Sequence, residues 1–122
     1  MSFHALMRTR ALLAALLLLC LAAPARADAR DDAKRQVEFG IAVAQRGLWR
    51  EAIYRFERAA QLDPSYAAAH NNLAIGYEHE GDLAKARAAY EKALELEPNN
   101  TLIKQNYELF KEINDRAADS DL

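Results

Sequence analysis

The chain has 122 residues, of which 52% are apolar and 28% are charged, with only four Gly and three Pro. This composition fits a globular or helical-repeat protein of one domain and argues against disorder over most of its length. With 18 acidic and 16 basic residues, neither nucleic acid nor an anionic membrane is expected as a partner.

The first 27 residues have the pattern of a secretory signal peptide. Arg8 and Arg10 form a positive start, and the apolar run at residues 11–23 is shorter than the roughly 20 residues of an ordinary membrane span. Residues 25–27 (Ala-Arg-Ala) have the small-x-small form that a signal peptidase needs. The pattern predicts cleavage after residue 27; the alternative is an uncleaved anchor.

Cleavage would deliver an exported protein, periplasmic or secreted, with no membrane span left. The remaining chain would hold 18 acidic and 13 basic residues, a net charge of −5. Cys20, the only cysteine, lies inside the apolar run and follows Leu19 rather than a small residue, so we expect no lipid anchor. The exported chain would then have neither a disulfide nor a thiol nucleophile.

Helix-forming residues dominate the rest of the chain, after a flexible start expected at residues 28–32. Hydrophobic periodicity and the placement of Gly and Pro predict five helices. They are Lys34–Arg46, Arg50–Leu62, Ala67–Glu80, Leu83–Leu96 and Thr101–Arg116. Asp82 and Asn100 are the expected N-caps of the last two, and residues 117–122 are expected to fray.

The chain repeats itself at an offset of 34 residues. At this offset the residue classes agree at the positions that helix packing constrains most. The pairs are Gly47 with Gly81, Trp49 with Leu83, Ala52 with Ala86, Phe56 with Tyr90, Ala59 with Ala93, Leu62 with Leu96, and Pro64 with Pro98. Small residues allow two helices to approach, and the aromatic residue between them fills the space beside the contact.

This period and pattern resemble the tetratricopeptide repeat. The first unit would be residues 33–66 and the second 67–100, followed by a capping helix at 101–116. The resemblance implies an all-α fold, an α-solenoid of two antiparallel helix pairs plus a C-terminal solvating helix. Gln36 and His70 stand where the family often has Trp, a departure at a variable position.

The resemblance also implies that the first helix of each pair lines a concave, partner-binding face. In the family, Asn72 matches an asparagine that often holds the backbone of a bound peptide. The terminal helix offers Leu102, Gln105, Leu109, Glu112 and Ile113, and it is left open which of them are buried. The predicted protein-binding residues are Val37, Ile41, Asn71, Asn72, Ile75, His79 and Gln105.

No arrangement of residues with catalytic chemistry was found. His70 and His79 are nine apart, not at the spacing of a helical metal pair, and the four Gly are scattered. We therefore expect no enzyme activity, no cofactor and no metal. His79 is either a solvated surface residue or a ligand contact. Trp49 is either part of the core or an exposed anchor for a partner.

The predicted function is that of a protein–protein interaction module of the bacterial cell envelope. It would act as an adaptor, scaffold or assembly factor and bind a partner segment in the concave groove. The alternative is a self-associating structural protein whose terminal repeats stack between chains, since two units form a short array. The first-helix edge formed by Gln36, Phe39 and Val43 would then be the contact.

Overall fold

The computed structural model describes residues 27–120, which form five helices and no strand. Helix α1 covers residues 27–45. It is followed by α2 (Trp49–Leu62), α3 (Ala67–Glu80), α4 (Leu83–Leu96) and α5 (Thr101–Ser120). The predicted signal peptide lies almost entirely outside the described residues, as do residues 121–122.

Two glycines and two polar caps explain where the helices begin and end. Gly47 and Gly81 adopt left-handed backbone, with φ of 79° and 77°, a conformation that is costly for any residue with a side chain. The Asp82 carboxylate accepts a hydrogen bond from the Lys85 amide at 3.2 Å, and Asn100 Oδ1 accepts one from the Ile103 amide at 3.2 Å. Both predicted N-caps are confirmed.

Large aromatic side chains set between alanines form the core. Phe56 and Tyr90 are 2% and 1% exposed, and Phe110 of α5 packs against the Tyr90 ring with centroids 5.5 Å apart. Each repeat contributes two fully buried alanines to its second helix, namely Ala52, Ala59, Ala86 and Ala93. Consecutive helices pack on one another from α2 to α5, which confirms the all-α solenoid of antiparallel helix pairs.

Helix α1 begins earlier than the sequence predicted. Residues 28–32, expected to be a flexible start, are helical. The Arg30 guanidinium donates to the Asp63 carboxylate and, at 3.2 Å, to Ser65 Oγ, and it lies 4.8 Å from the centroid of the Tyr66 ring. These contacts with the turn before α3 hold the first turns of α1 in place.

Helix α5 also runs beyond its predicted end. Residues 117–120, expected to fray, continue the helix, and Ser120 Oγ donates to the Ala117 carbonyl at 2.9 Å. Ala117 and Ala118 are strong helix formers, and no Gly or Pro interrupts this segment. In the described part of the chain, no helix is long and apolar enough to cross a membrane.

Candidate partner-binding groove

An apolar depression of about 290 Å³ lies between α1 and α3 on the concave side, and we call it the groove. Most of its surface is hydrocarbon or aromatic, with one amide side chain contributed by each of the two helices. The lining residues are Ile41, Ala44, Gln45, Trp49, Phe56, Asn72 and Ile75. A surface of this composition favours burial of apolar side chains over proton transfer or ion binding.

Close packing of α1 and α3 on α2 positions the groove. A Cβ added at Gly40 would lie 2.5 Å from Phe56 Cε1, and one added at Gly76 would lie 2.7 Å from Ile53 Cγ1. Only glycine allows this approach. The Phe56 ring therefore reaches the floor of the groove, although it is 2% exposed.

Three exposed apolar residues of α5 extend the concave surface, and we call Leu102, Leu109 and Ile113 the α5 row. Asn106 Nδ2 donates to Asn71 Oδ1 of α3 at 3.2 Å, so this side of α5 faces α3. Leu102 lies four residues before Asn106, and Leu109 and Ile113 lie three and seven residues after it. These spacings place the row on the same side of the helix as Asn106. They are 61%, 57% and 57% exposed.

Aromatic and acidic side chains occupy the end of the groove where α1 and α3 terminate. The Trp49 and His79 rings stack with centroids 3.6 Å apart and an interplanar angle of 8°. Glu78 and Glu80 flank His79 in the sequence, and Glu80 and Trp49 line an adjoining depression together with Glu51 and Arg50. We call Trp49, His79, Glu78 and Glu80 the acidic end of the groove.

Glu78 is held by a buried tyrosine of the core. The Tyr90 hydroxyl donates to Glu78 Oε2 at 2.8 Å. Burial of the phenol, reinforced by this bond to a carboxylate, raises the pKa of Tyr90. Tyr90 therefore remains a donor across the physiological range and keeps one Glu78 oxygen in a fixed position.

The structure brings together part of the predicted binding set. Ile41, Asn72 and Ile75 line the groove, and the exposed His79 stands at its acidic end. The Asn72 amide donates to the Ala68 carbonyl at 2.8 Å, which leaves its oxygen as the available acceptor. Gln105 is exposed on α5 beside the row, three residues after Leu102.

Two predicted binding residues are buried instead, which corrects their assignment to the exposed face. Val37 is 5% exposed and belongs to the core cluster, and Asn71 is 6% exposed at the contact between α3 and α5. Each stands at an inward position of the repeat, but a neighbouring helix covers it. Asn71 therefore links α3 to α5, because its Oδ1 accepts a hydrogen bond from Asn106 Nδ2.

Trp49 is the groove residue whose position the sequence left undecided. It is partly buried, and it both lines the groove and stacks on His79. The alignment with Leu83 could not decide whether Trp49 lies in the core or on the surface, because Leu83 is itself 45% exposed. Within residues 27–120, no three His, Asp or Glu side chains lie close enough together to hold a metal ion.

The chain matches the family described as "Tetratricopeptide repeat" over residues 67–100 and as "TPR repeat" over residues 40–78. Together these matches run from residue 40 to residue 100, half of the chain. The boundaries of the first match coincide with those of the second repeat unit predicted from the 34-residue offset.

Three curated proteins are similar to parts of the chain. The chain is 31% identical over 85 residues to the chloroplastic tetratricopeptide repeat domain-containing protein PYG7 of Arabidopsis thaliana. This match covers 70% of the present chain and 28% of PYG7. It is 33% identical over 79 residues to the type IV pilus assembly protein PilF of Pseudomonas aeruginosa, 64% of this chain and 31% of PilF. It is 49% identical over 45 residues to the uncharacterized protein ycf37 of Pyropia yezoensis, 37% of this chain and 25% of ycf37.

The chain therefore spans less than a third of the length of each of these relatives. The fold, the 34-residue period and the two family matches agree, and the chain belongs to the tetratricopeptide repeat family.

Proposed function

We propose that the chain is a protein-interaction module that captures a segment of another protein on its concave face and catalyses no reaction. The observation that carries this proposal is the exposed apolar surface made by the groove and the α5 row. Burying such a surface contributes roughly 25 cal/mol per Å², whereas leaving it in water has no structural benefit. Exposed apolar patches of this kind mark interaction sites.

An assembly role in the cell envelope is the form of this function that we favour. The family and the relatives support an interaction or assembly module. PilF is by name a pilus assembly protein, and this likeness supports a comparable role as adaptor, scaffold or assembly factor here. Cleavage of the signal peptide at residues 1–27 would place the module in the periplasm or outside the cell.

Site-specific crosslinking in the native host tests the binding face. We would place a photo-crosslinking amino acid at Ile75 in the groove and, as a control, at the exposed Glu95 on the outer side of α4. We expect discrete crosslinked products from position 75 and none from position 95. Equal amounts of crosslinked product from both positions, or no product from position 75, would show that the groove is not the binding surface.

Export is tested by the mass of the protein recovered from fractionated cells. We expect the periplasmic or extracellular fraction to contain a chain that begins at Asp28. Recovery of the intact 13.7 kDa chain from the membrane fraction would favour the uncleaved anchor. This outcome would leave the binding proposal standing, because the groove lies entirely within the described helices.

A further inference from the structure

The outer side of α2 carries an exposed tyrosine between two arginines. We propose that this side docks a short acidic segment of a partner protein, whose carboxylates pair with Arg50 and Arg58 and whose apolar side chain lies on Tyr54 between them. This surface faces away from the groove, so the inference goes beyond the proposed function and gives the protein a second binding face.

One line of exposed residues runs along α2, and we call Arg50, Tyr54, Arg58 and Gln61 the α2 stripe. Successive members are four, four and three residues apart, so they share one face of the helix. All four are exposed. The helical period places the stripe on the opposite side of α2 from Phe56, whose buried ring reaches the floor of the groove. The stripe is therefore open to solvent on the outside of the first helix pair.

The second repeat shows that helix packing does not require these side chains. At the 34-residue offset, the stripe corresponds to Ala84, Ala88, Lys92 and Glu95 of α4. Alanine is sufficient at the first two positions, and Lys92 is paired with Glu95 of the same helix at 3.4 Å. Because α2 and α4 have the same place in their repeats, the fold alone does not explain the arginines and the tyrosine of the α2 stripe.

Both carboxylates of α2 are engaged by groups other than the stripe. Glu51 is paired with Arg55 at 2.9 Å. Glu57 Oε1 accepts a hydrogen bond from the Tyr77 hydroxyl of α3 at 2.9 Å. These contacts leave an excess of positive charge on the outer side of the helix.

The two arginines of the stripe have the geometry to bind carboxylates. Within residues 27–120, neither Arg50 nor Arg58 forms an ion pair, although Glu80 of α3 lines a depression beside Arg50. A guanidinium can hold a carboxylate through two parallel N–H···O bonds. Eight residues separate Arg50 from Arg58, about 12 Å along the helix. In an extended segment, carboxylates four residues apart point to the same side and span about 13 Å. The side chain midway between them would then lie over Tyr54.

The distribution of charge favours a narrow acidic segment over an anionic membrane. Residues 28–62 hold seven basic and six acidic side chains, whereas residues 63–122 hold six basic and twelve acidic ones. A membrane is broad enough to meet the acidic second repeat as well, and it would be repelled there. A short segment contacts the stripe alone, and salt screens it from the more distant carboxylates.

Binding of a synthetic peptide tests the inference. The probe is a nine-residue peptide with blocked ends, with glutamates at its positions 1, 5 and 9, leucines at 3 and 7, and serines elsewhere. The control peptide has glutamine in place of each glutamate. Each is titrated into the isotope-labelled protein at low salt, and the amide shifts in nuclear magnetic resonance spectra locate the contact.

We expect the glutamate peptide to shift amides of α2 and to bind roughly tenfold more tightly than the glutamine peptide, with salt reducing the difference. Replacing Arg50 and Arg58 together with glutamine should weaken this binding roughly tenfold. The matched control replaces Lys85 and Lys92 of α4 with glutamine, which changes the net charge equally and should leave binding unchanged. Tyr54→Ala should weaken binding several-fold. All five positions lie on the surface, so circular dichroism should show the same helicity in every variant.

Several results would overturn the inference. If both double variants weakened binding equally, the peptide would be responding to net charge and not to the stripe. Amide shifts confined to other helices, or no binding at low salt, would remove the stripe as a binding face. Vesicles of phosphatidylglycerol that bound through Arg50 and Arg58 when the peptide did not would identify a membrane as the occupant instead. The crosslinks from position 75 do not depend on these arginines, so the proposed function would stand in each case.

Discussion

Phe56 shows at the scale of one residue how the repeat pattern becomes a packed structure. Its ring lies between the fully buried Ala52 and Ala59 and touches the backbone of α1 at Gly40. Truncation would leave a cavity that neither alanine nor glycine can fill. We expect Phe56→Ala to lower the free energy of unfolding by roughly 3–5 kcal/mol, measured by urea denaturation followed by circular dichroism.

The same helix provides the control for this prediction. Tyr54 is also aromatic, two residues earlier, but it is 56% exposed. Tyr54→Ala should change the free energy of unfolding by no more than about 0.5 kcal/mol. A loss below about 1 kcal/mol for Phe56→Ala would contradict the packing register.

Tyr77 makes the stability of the protein sensitive to alkaline pH. Burial, together with a 2.9 Å hydrogen bond to Glu57, raises the pKa of Tyr77 to about 12 from its usual 10. The native state therefore holds this proton more tightly than the unfolded chain. Its stabilising effect is complete below pH 10 and is lost as the pH rises toward 12.

We expect the urea midpoint of the protein to fall between pH 9 and pH 11, and to fall less in Tyr77→Phe. The variant should lose about 1 kcal/mol at neutral pH, where the hydrogen bond is intact in the parent protein. Tyr66, Tyr90 and Tyr107, whose pKa values are also raised, contribute to the remaining alkaline dependence. An identical pH dependence in parent and variant would show that Tyr77 is not the titrating group.

Individual side chains mark the limit of what the sequence predicts. The 34-residue offset correctly placed Phe56 and Tyr90 in the core, because each repeat packs its second helix in the same way. It could not show that Asn71 is covered by α5, since that contact crosses the repeat boundary. The position of Trp49 likewise depends on its stacking with His79, thirty residues away, which no local pattern encodes.

At the scale of elements, helix boundaries were predictable where local chemistry sets them. The predicted ends of α3 and α4 agree with the structure because Gly81 ends one helix and Asp82 caps the next. The early start of α1 was missed because its charged first turns resemble a loop when read alone. Arg30 stabilises them through a contact with Asp63, 33 residues away.

The Arg30 contact gives an element-scale prediction for acid pH. Hydrogen bonds from Arg30, and next from Ser65, lower the pKa of Asp63 below 3.8. The stabilisation from the ionised carboxylate is therefore complete above about pH 4–5 and is lost as the pH falls through the lowered pKa. We expect Asp63→Asn to lose about 1 kcal/mol at pH 7.

This difference between the parent protein and Asp63→Asn should shrink as the pH falls through the lowered pKa of Asp63, as judged by urea midpoints measured from pH 7 into the acid range. Asparagine keeps an oxygen that can accept the Ser65 amide, so the turn itself is preserved. Amide hydrogen exchange should rise in the first turns of α1 and remain unchanged in α4. Equal protection of α1 in both proteins would show that other contacts hold its start.

At the scale of the whole molecule, apolar exposure is concentrated on two surfaces. One is the concave face, whose residues stand on three parallel helices. The other is the outer edge of the first pair, where Phe39 is 49% exposed and the Arg55 guanidinium lies 4.4 Å from its ring centroid. Of the edge predicted for self-association, Val43 is 8% exposed and belongs to the core, which leaves Phe39 as its main apolar residue.

These two surfaces lead to different expectations for the oligomeric state. Phe39 and the exposed Tyr54, whose ring centroids lie 4.4 Å and 5.4 Å from the Arg55 guanidinium, provide far less apolar area than the roughly 1,000 Å² that a stable interface buries in total. We expect a monomer by light scattering at about 100 µM, and the same mass for Phe39→Asp. A dimer that Phe39→Asp dissociates would instead favour stacking between chains. If the Phe39→Asp variant also lost the crosslinks from position 75, dimer formation would be required for partner binding.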